Sequence, residues 1–236
     1  MYFPYLRGRQ NELLCLRELL DAGKLSSKVI PIIEPVKFSS TFFSTLKKFV
    51  EMNRQIVVIR NPKVGLFNDM KKNIEKESDD YKKEKLQKTL NDYKIAWNDA
   101  GIQKAFLLNN KVLSNIIDKK IDVKNVIIIN ADRGNYHYYE EYGKELEGKY
   151  TVIPKGGDFE DIIEDNIIVL EDGYKKAKRN VDYIENPDEL FDRNHITYKK
   201  RGFSGFSDYS IVGNEFEESG FAPLAIAIHI MYFGKR

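Results

Sequence analysis

Short runs of β-branched and aromatic residues, each cut off by a polar or turn-forming residue, recur along the whole chain and limit what it can fold into. Val29-Ile30-Pro31-Ile32-Ile33 stops at Glu34-Pro35, Ile56-Val57-Val58-Ile59 at Arg60-Asn61-Pro62, and Val126-Ile127-Ile128-Ile129 at Asn130-Ala131-Asp132. Runs apolar on both faces are the mark of strands covered on both sides, as in parallel sheets. Strands are expected at 29–36, 55–59, 104–108, 125–129, 150–153, 166–170, 203–211 and 222–233, after an apolar opening that ends at Arg7. Pro31 donates no ladder hydrogen bond, so it marks a strand start or a bulge.

The intervening segments repeat at helical spacing. Leu13, Leu14, Leu16, Leu19 and Leu20 predict a helix over 10–20, and Phe42, Phe43, Leu46, Phe49 and Val50 one over 41–52. Further helices are expected at 111–119, 136–146 and 188–193. Strand–helix alternation of this kind predicts an α/β fold, a TIM-like β/α barrel with an incomplete or irregular closure, in a single domain over 1–236. No helix is expected after the strand at 222–233, which points to unusual closure or to a shortened version of a longer protein.

Residues 68–99 break the rhythm. Charges of both signs crowd 71–88, while Ile74, Tyr81, Leu86, Leu90, Tyr93 and Trp97 fall near a heptad pattern. The segment is expected to be one long helix, or a helical hairpin turning near Ser78-Asp79-Asp80. Either it packs one stripe on the barrel, or it is a docking arm for a partner protein or a second copy.

With 38 basic and 36 acidic side chains the net charge is +2, so no global field draws nucleic acid or membrane. No apolar run approaches the roughly 20 residues of a membrane span. The opening residues, with Arg7 and Arg9 after the apolar stretch, do not read as a signal peptide, and a cytoplasmic protein is expected. Cys15, the one cysteine, sits among leucines and is expected to be buried.

In parallel barrels ligands bind at the carboxyl ends of the strands. The residues that end the runs are therefore the candidates: Arg7, Glu34, Arg60, Asn61, Asn109, Asp132, Arg133, Lys155, Asp158, Asp208 and His229. Helix caps and other folding roles would explain polar residues there equally well. Glu34 ends a buried strand and needs a cation or a metal, and Arg60 is the expected partner. Asp132 suits a helix cap or a metal. Asp208 lies in a small polar stretch. His229 shares a face with Ala225, Ala227 and Met231 and reads as a core histidine or a catalytic one. His137 and His195 read as surface residues.

Three functions compete. In the first, Glu34, Asp132 and Asp208 hold Mg²⁺ or Mn²⁺, which suit a hard-oxygen site. Arg7, Arg60, Asn109 and Lys155 then bind an anion and His229 moves a proton, giving hydrolysis of a phosphoester or nucleotide. In the second, the same ring binds a ligand or phage component without turnover, and 68–99 passes the signal to a partner. In the third, the chain is a structural subunit with a vestigial site. Phe203, Phe206 and Tyr209 behind Lys199-Lys200-Arg201 fit either base stacking on single-stranded nucleic acid or a plain core strand. Gly156-Gly157-Asp158-Phe159 matches a cyclic-dinucleotide synthase signature only in part and is taken as chance. P-loop, dinucleotide, zinc-protease and nucleophile-elbow motifs are absent from the sequence.

Two segments carry a family resemblance. Tyr2-Phe3-Pro4-Tyr5-Leu6-Arg7-Gly8-Arg9-Gln10, with Glu12-Leu13-Leu14 and Ile32-Ile33-Glu34-Pro35, resembles the start of the "beta protein" family. Gly205-Phe206-Ser207-Asp208-Tyr209-Ser210, with Ser219-Gly220-Phe221-Ala222-Pro223 and His229-Ile230, is similar to the same group. These are largely uncharacterised bacterial proteins, often encoded on mobile or phage-related loci. The resemblance implies a role in antiviral defence or conflict between genetic elements, and a family chain longer than this one.

Overall fold

A computed structural model describes residues 1–174, 177–185, 188, 193–209, 228 and 230. Eight parallel strands follow one another round a single sheet in chain order. They are β1 (Tyr5–Leu6), β2 (Ile32–Ile33), β3 (Ile56–Ile59), β4 (Ile102–Leu107), β5 (Val126–Ile129), β6 (Tyr150–Pro154), β7 (Ile167–Glu171) and β8 (Gly205–Asp208). β8 returns to the first strand through two isolated parallel bridges, Tyr2 with Phe206 and Tyr5 with Tyr209. The Phe3 N–H donates to the Phe206 carbonyl at 2.8 Å, and the Ser207 hydroxyl to the Phe3 carbonyl at 2.6 Å. The result is a nearly closed β/α barrel with one lightly stitched seam.

Helices alternate with the strands: α1 (Gln10–Asp21), α2 (Ser40–Glu51), α3 (Met70–Lys76), α4 (Asp80–Ala96), α5 (Asn110–Ile117), α6 (Tyr136–Tyr142), α7 (Phe159–Ile162) and α8 (Asn194–Thr197). Side-chain alternation along each strand sorts the apolar residues into layers. Tyr5, Ile32, Val57, Ile59, Leu107, Ile129 and Leu170 fill the barrel. Leu6, Ile33, Ile56 and Val58 face outward onto α1 and α2. On the far side Ile128, Ile153 and Val169 pack with Val112, Tyr139 and Phe159 of α5, α6 and α7.

Pro31 lies just before β2, where only its carbonyl is used, accepting from the Val57 N–H at 2.8 Å. Cys15 is exposed, contrary to expectation, because Leu13, Leu16 and Leu20 take the buried stripe of α1. The 68–99 segment is the hairpin form. α3 and α4 are separate, and Asp79 caps α4 by accepting from the Lys82 N–H at 3.0 Å. Its rear half belongs to the core, where Tyr93 and Trp97 pack with Phe42 and Phe67. Its front half faces solvent, with Tyr81 75 % exposed. The expected strand at 222–233 lies outside the described residues except for Ile228 and Ile230, and most of the expected helix at 188–193 does too.

Two loops at the carboxyl face are stapled together at Gly65. Its φ is +74°, and a Cβ there would lie 2.2 Å from the Val36 carbonyl oxygen. The neighbouring Leu66 N–H donates to that oxygen at 2.7 Å. Gly65→Ala combines a left-handed φ with a backbone clash and is expected to cost more than about 2 kcal/mol. Chemical denaturation checks this, and a loss below about 0.5 kcal/mol would show that the two loops separate freely.

Candidate functional site: the mouth of the barrel

The carboxyl ends of the strands open into a cleft of about 1300 Å³. Leu107, Leu170 and Pro154 line its apolar part, and Tyr5, Arg7, Glu34, Asn61, Lys63, Asn109, Asp132, Lys155, Glu171, Asp172 and Tyr209 its polar part. Most of these polar groups tie one strand end to the next.

The tightest tie is at β1 and β2. Glu34 is 1 % exposed and accepts three hydrogen bonds. They come from the Arg7 guanidinium, from the Tyr5 hydroxyl at 2.7 Å and from the Lys63 N–H at 2.7 Å. The carboxylate therefore joins the first three strand ends, and its desolvation is offset by a cation and two donors. Arg7 is itself held between aromatic faces, 5.3 Å from the Tyr5 ring centre and 5.5 Å from that of Tyr209. Those two rings meet at 4.9 Å, across the seam. Burial, followed by the charge of Glu34, raises the Tyr5 hydroxyl well above the usual tyrosine value. Burial also pushes Tyr209 up to about 12.

The belt continues round the rim. Asn61 extends the β3–β4 ladder with its side chain, donating to the Leu107 carbonyl at 2.8 Å and accepting from the Leu107 N–H at 2.9 Å. Asn135 donates to the Leu108 carbonyl at 3.1 Å. Arg133 donates to the carbonyls of Lys155 and Gly156 at 2.7 and 3.2 Å, joining β5 to β6. Lys155 meets both Glu171 oxygens at 2.7 Å, and Asn194 of α8 donates to Glu171 at 2.6 Å.

The residues expected at the mouth thus divide. Arg7, Glu34, Asn61, Asn109, Asp132, Arg133 and Lys155 do converge on it. Asn109 there caps α5, accepting from the Val112 N–H at 3.0 Å, and Asp132 accepts from the Gly134 N–H at 2.9 Å. Arg60 does not converge. It follows the inward-facing Ile59 and so points outward, where its guanidinium lies 4.2 Å from the Trp97 ring centre. The cation of Glu34 is Arg7. Asp208 also misses the cleft: it lies between inward-facing Ser207 and Tyr209 and accepts from the Tyr2 hydroxyl at 2.6 Å on the outer side of the seam. Glu34, Asp132 and Asp208 therefore cannot share one ion, and among the described residues no three His, Cys, Asp or Glu side chains gather to hold a metal. Asp158 is exposed before α7 and outside the cleft lining. His229 lies outside the described residues. The aromatics near Lys199 are not a stacking platform: Phe203 is buried in the outer core, Phe206 stacks on Tyr2 at 4.8 Å, and Tyr209 belongs to the mouth.

Tyr5, Lys63, Glu171 and Tyr209 are part of the mouth although the strand-end rule did not select them. Tyr5 stands two residues before Arg7, on the same strand face, which is the signal that finds it.

Fold and mouth together define a parallel β/α barrel with a polar, internally braced cleft at its carboxyl face. No protein-family model, curated protein or solved structure matches this chain. Among the described residues no helix is long and apolar enough to cross a membrane.

Proposed function

We propose that the chain is a binding barrel, which holds a small polar ligand at its mouth without turning it over. The observation that carries this is the Tyr5–Arg7–Glu34–Tyr209 cluster, a rigid polar wall buried inside an open cleft where parallel barrels take their ligands. Recognition is favoured over metal-assisted hydrolysis because the two most enclosed carboxylates of the cleft lining are already engaged. Three donors surround Glu34, and Lys155 and Asn194 surround Glu171, occupying the lone pairs that a metal ion or a substrate proton would need. The bacterial defence or mobile-element setting belongs to this reading through the resemblance of the opening and closing segments. A partner protein would meet the outward front half of α4, since the rear half is core.

The test is thermal unfolding against a panel of adenosine, glucose, glycine, inorganic phosphate and acetate, with and without Mg²⁺. Ligands that bind only the folded state raise the midpoint. Ala131 is exposed and lines the cleft, so Ala131→Trp should fill the mouth while leaving the fold intact. At least one probe is expected to stabilise the natural chain and to lose its effect in this variant. Shifts that survive Ala131→Trp, or no shift with any probe, would remove the reading. Release of product from a phosphoester would restore the hydrolase.

A further inference from the structure

The belt of ties round the mouth consumes most of the polar groups that reach it, and one enclosed group stands apart. Tyr209 is 8 % exposed and lines the cleft, yet among the described residues its hydroxyl has no hydrogen-bond partner. Tyr5 and Arg7 fix its ring from within the barrel. Its ring is buried while its hydroxyl opens to the cleft, so the group can donate to an acceptor that a ligand brings there.

We propose that the Tyr209 hydroxyl is the donor by which the mouth recognises an oxygen anion, a phosphate or carboxylate group, on its ligand. The inference rests on the reading of the mouth as a binding site and names the ligand class. Like any tyrosine the hydroxyl is protonated at neutral pH, and burial moves its ionisation further up, so it donates. Among the charges acting on it, the Arg7 cation weighs more than Glu34 or Asp172. Elsewhere on the rim stand further donors, beside the carboxylates of Asp132 and Asp172. The Lys63 ammonium has no ion pair among the described residues, and the amide nitrogens of Asn109 and Asn110 have no acceptor there, while their oxygens accept from Val112 and Tyr138. The mouth therefore offers donors to a ligand that brings oxygens.

The experiment titrates inorganic phosphate and, separately, acetate into the full chain and into Tyr209→Phe, which removes one oxygen and keeps the ring. Because that oxygen bonds to no described protein group, the variant should unfold at the same temperature as the natural chain. One or both anions are expected to bind the natural chain, the stronger of them naming phosphate or carboxylate. Tyr209→Phe should weaken that binding about tenfold or more, the worth of one hydrogen bond to a charged group. Equal affinity in Tyr209→Phe overturns the inference. Binding of adenosine or glucose but of neither anion overturns it while sparing the binding barrel. Silence from every probe removes both.

Discussion

Glu34→Ala is expected to destabilise the barrel by about 3–5 kcal/mol, the cost of removing one member of a buried ion pair. The alanine would leave the Arg7 guanidinium, the Tyr5 hydroxyl and the Lys63 N–H without their shared acceptor. Solvent reaches this position poorly, so water cannot replace the carboxylate in full. Replacing both charges should cost far less than removing one. Arg7→Met with Glu34→Leu is expected to recover much of the loss, since a methionine fits between the Tyr5 and Tyr209 rings that now hold the guanidinium. Urea denaturation of the single and double variants measures both effects. A single-variant loss below about 1 kcal/mol would show that the mouth is wetter and looser than described.

Alkaline pH should unfold the protein steeply. Tyr5, Tyr93, Tyr139 and Tyr209 are buried, and burial raises all four, Tyr93 and Tyr209 to about 12. An unfolded tyrosine ionises near pH 10. Above that pH the unfolded chain loses these protons while the folded chain keeps them, so the folded state binds more protons and stability falls as pH rises. The contribution is intact below about pH 10 and falls progressively above it, that of Tyr93 and Tyr209 being lost by about pH 12. Each group takes about 1.4 kcal/mol per pH unit within that window, so the four together remove several kcal/mol per unit. Denaturation midpoints between about pH 9 and 11.5 should show the fall. In tyrosinate absorbance, at least four of the 14 tyrosines should ionise only as the chain unfolds. A slope no steeper than a single tyrosine gives would mean that these hydroxyls reach water in the folded state.

The barrel was legible in the sequence because its strands are buried on both faces. Val126-Ile127-Ile128-Ile129 carries no polar residue to interrupt it, and among the described residues each such run is a strand within about three residues of its expected bounds. The same property hid which strand-end residues face inward. A strand that alternates apolar with polar reveals its faces, whereas one apolar on both sides gives no parity. Arg60 and Asp208 were therefore expected in the mouth, although they stand one position out of phase with the inward-facing Ile59 and Tyr209. Arg7 and Glu34 are in phase and meet. The Arg7–Glu34 pairing was missed in favour of Arg60 because first and second strand ends look no closer in sequence than second and third. Cys15 was misplaced for a simpler reason. Five leucines leave the edge of the α1 stripe ambiguous, and the buried positions are Leu13, Leu16 and Leu20.

The lightly stitched seam has a consequence for how the molecule is made. Tyr2 finds Phe206, and Tyr5 finds Tyr209, across some two hundred residues of intervening chain. Until the eighth strand leaves the ribosome, the first has an open edge, and the Arg7–Glu34 pair lacks the Tyr209 ring that covers it from the end of β8. Assembly of the nascent protein is thus expected to end where its sequence begins, with closure the slow step and the half-built sheet the form most exposed to aggregation.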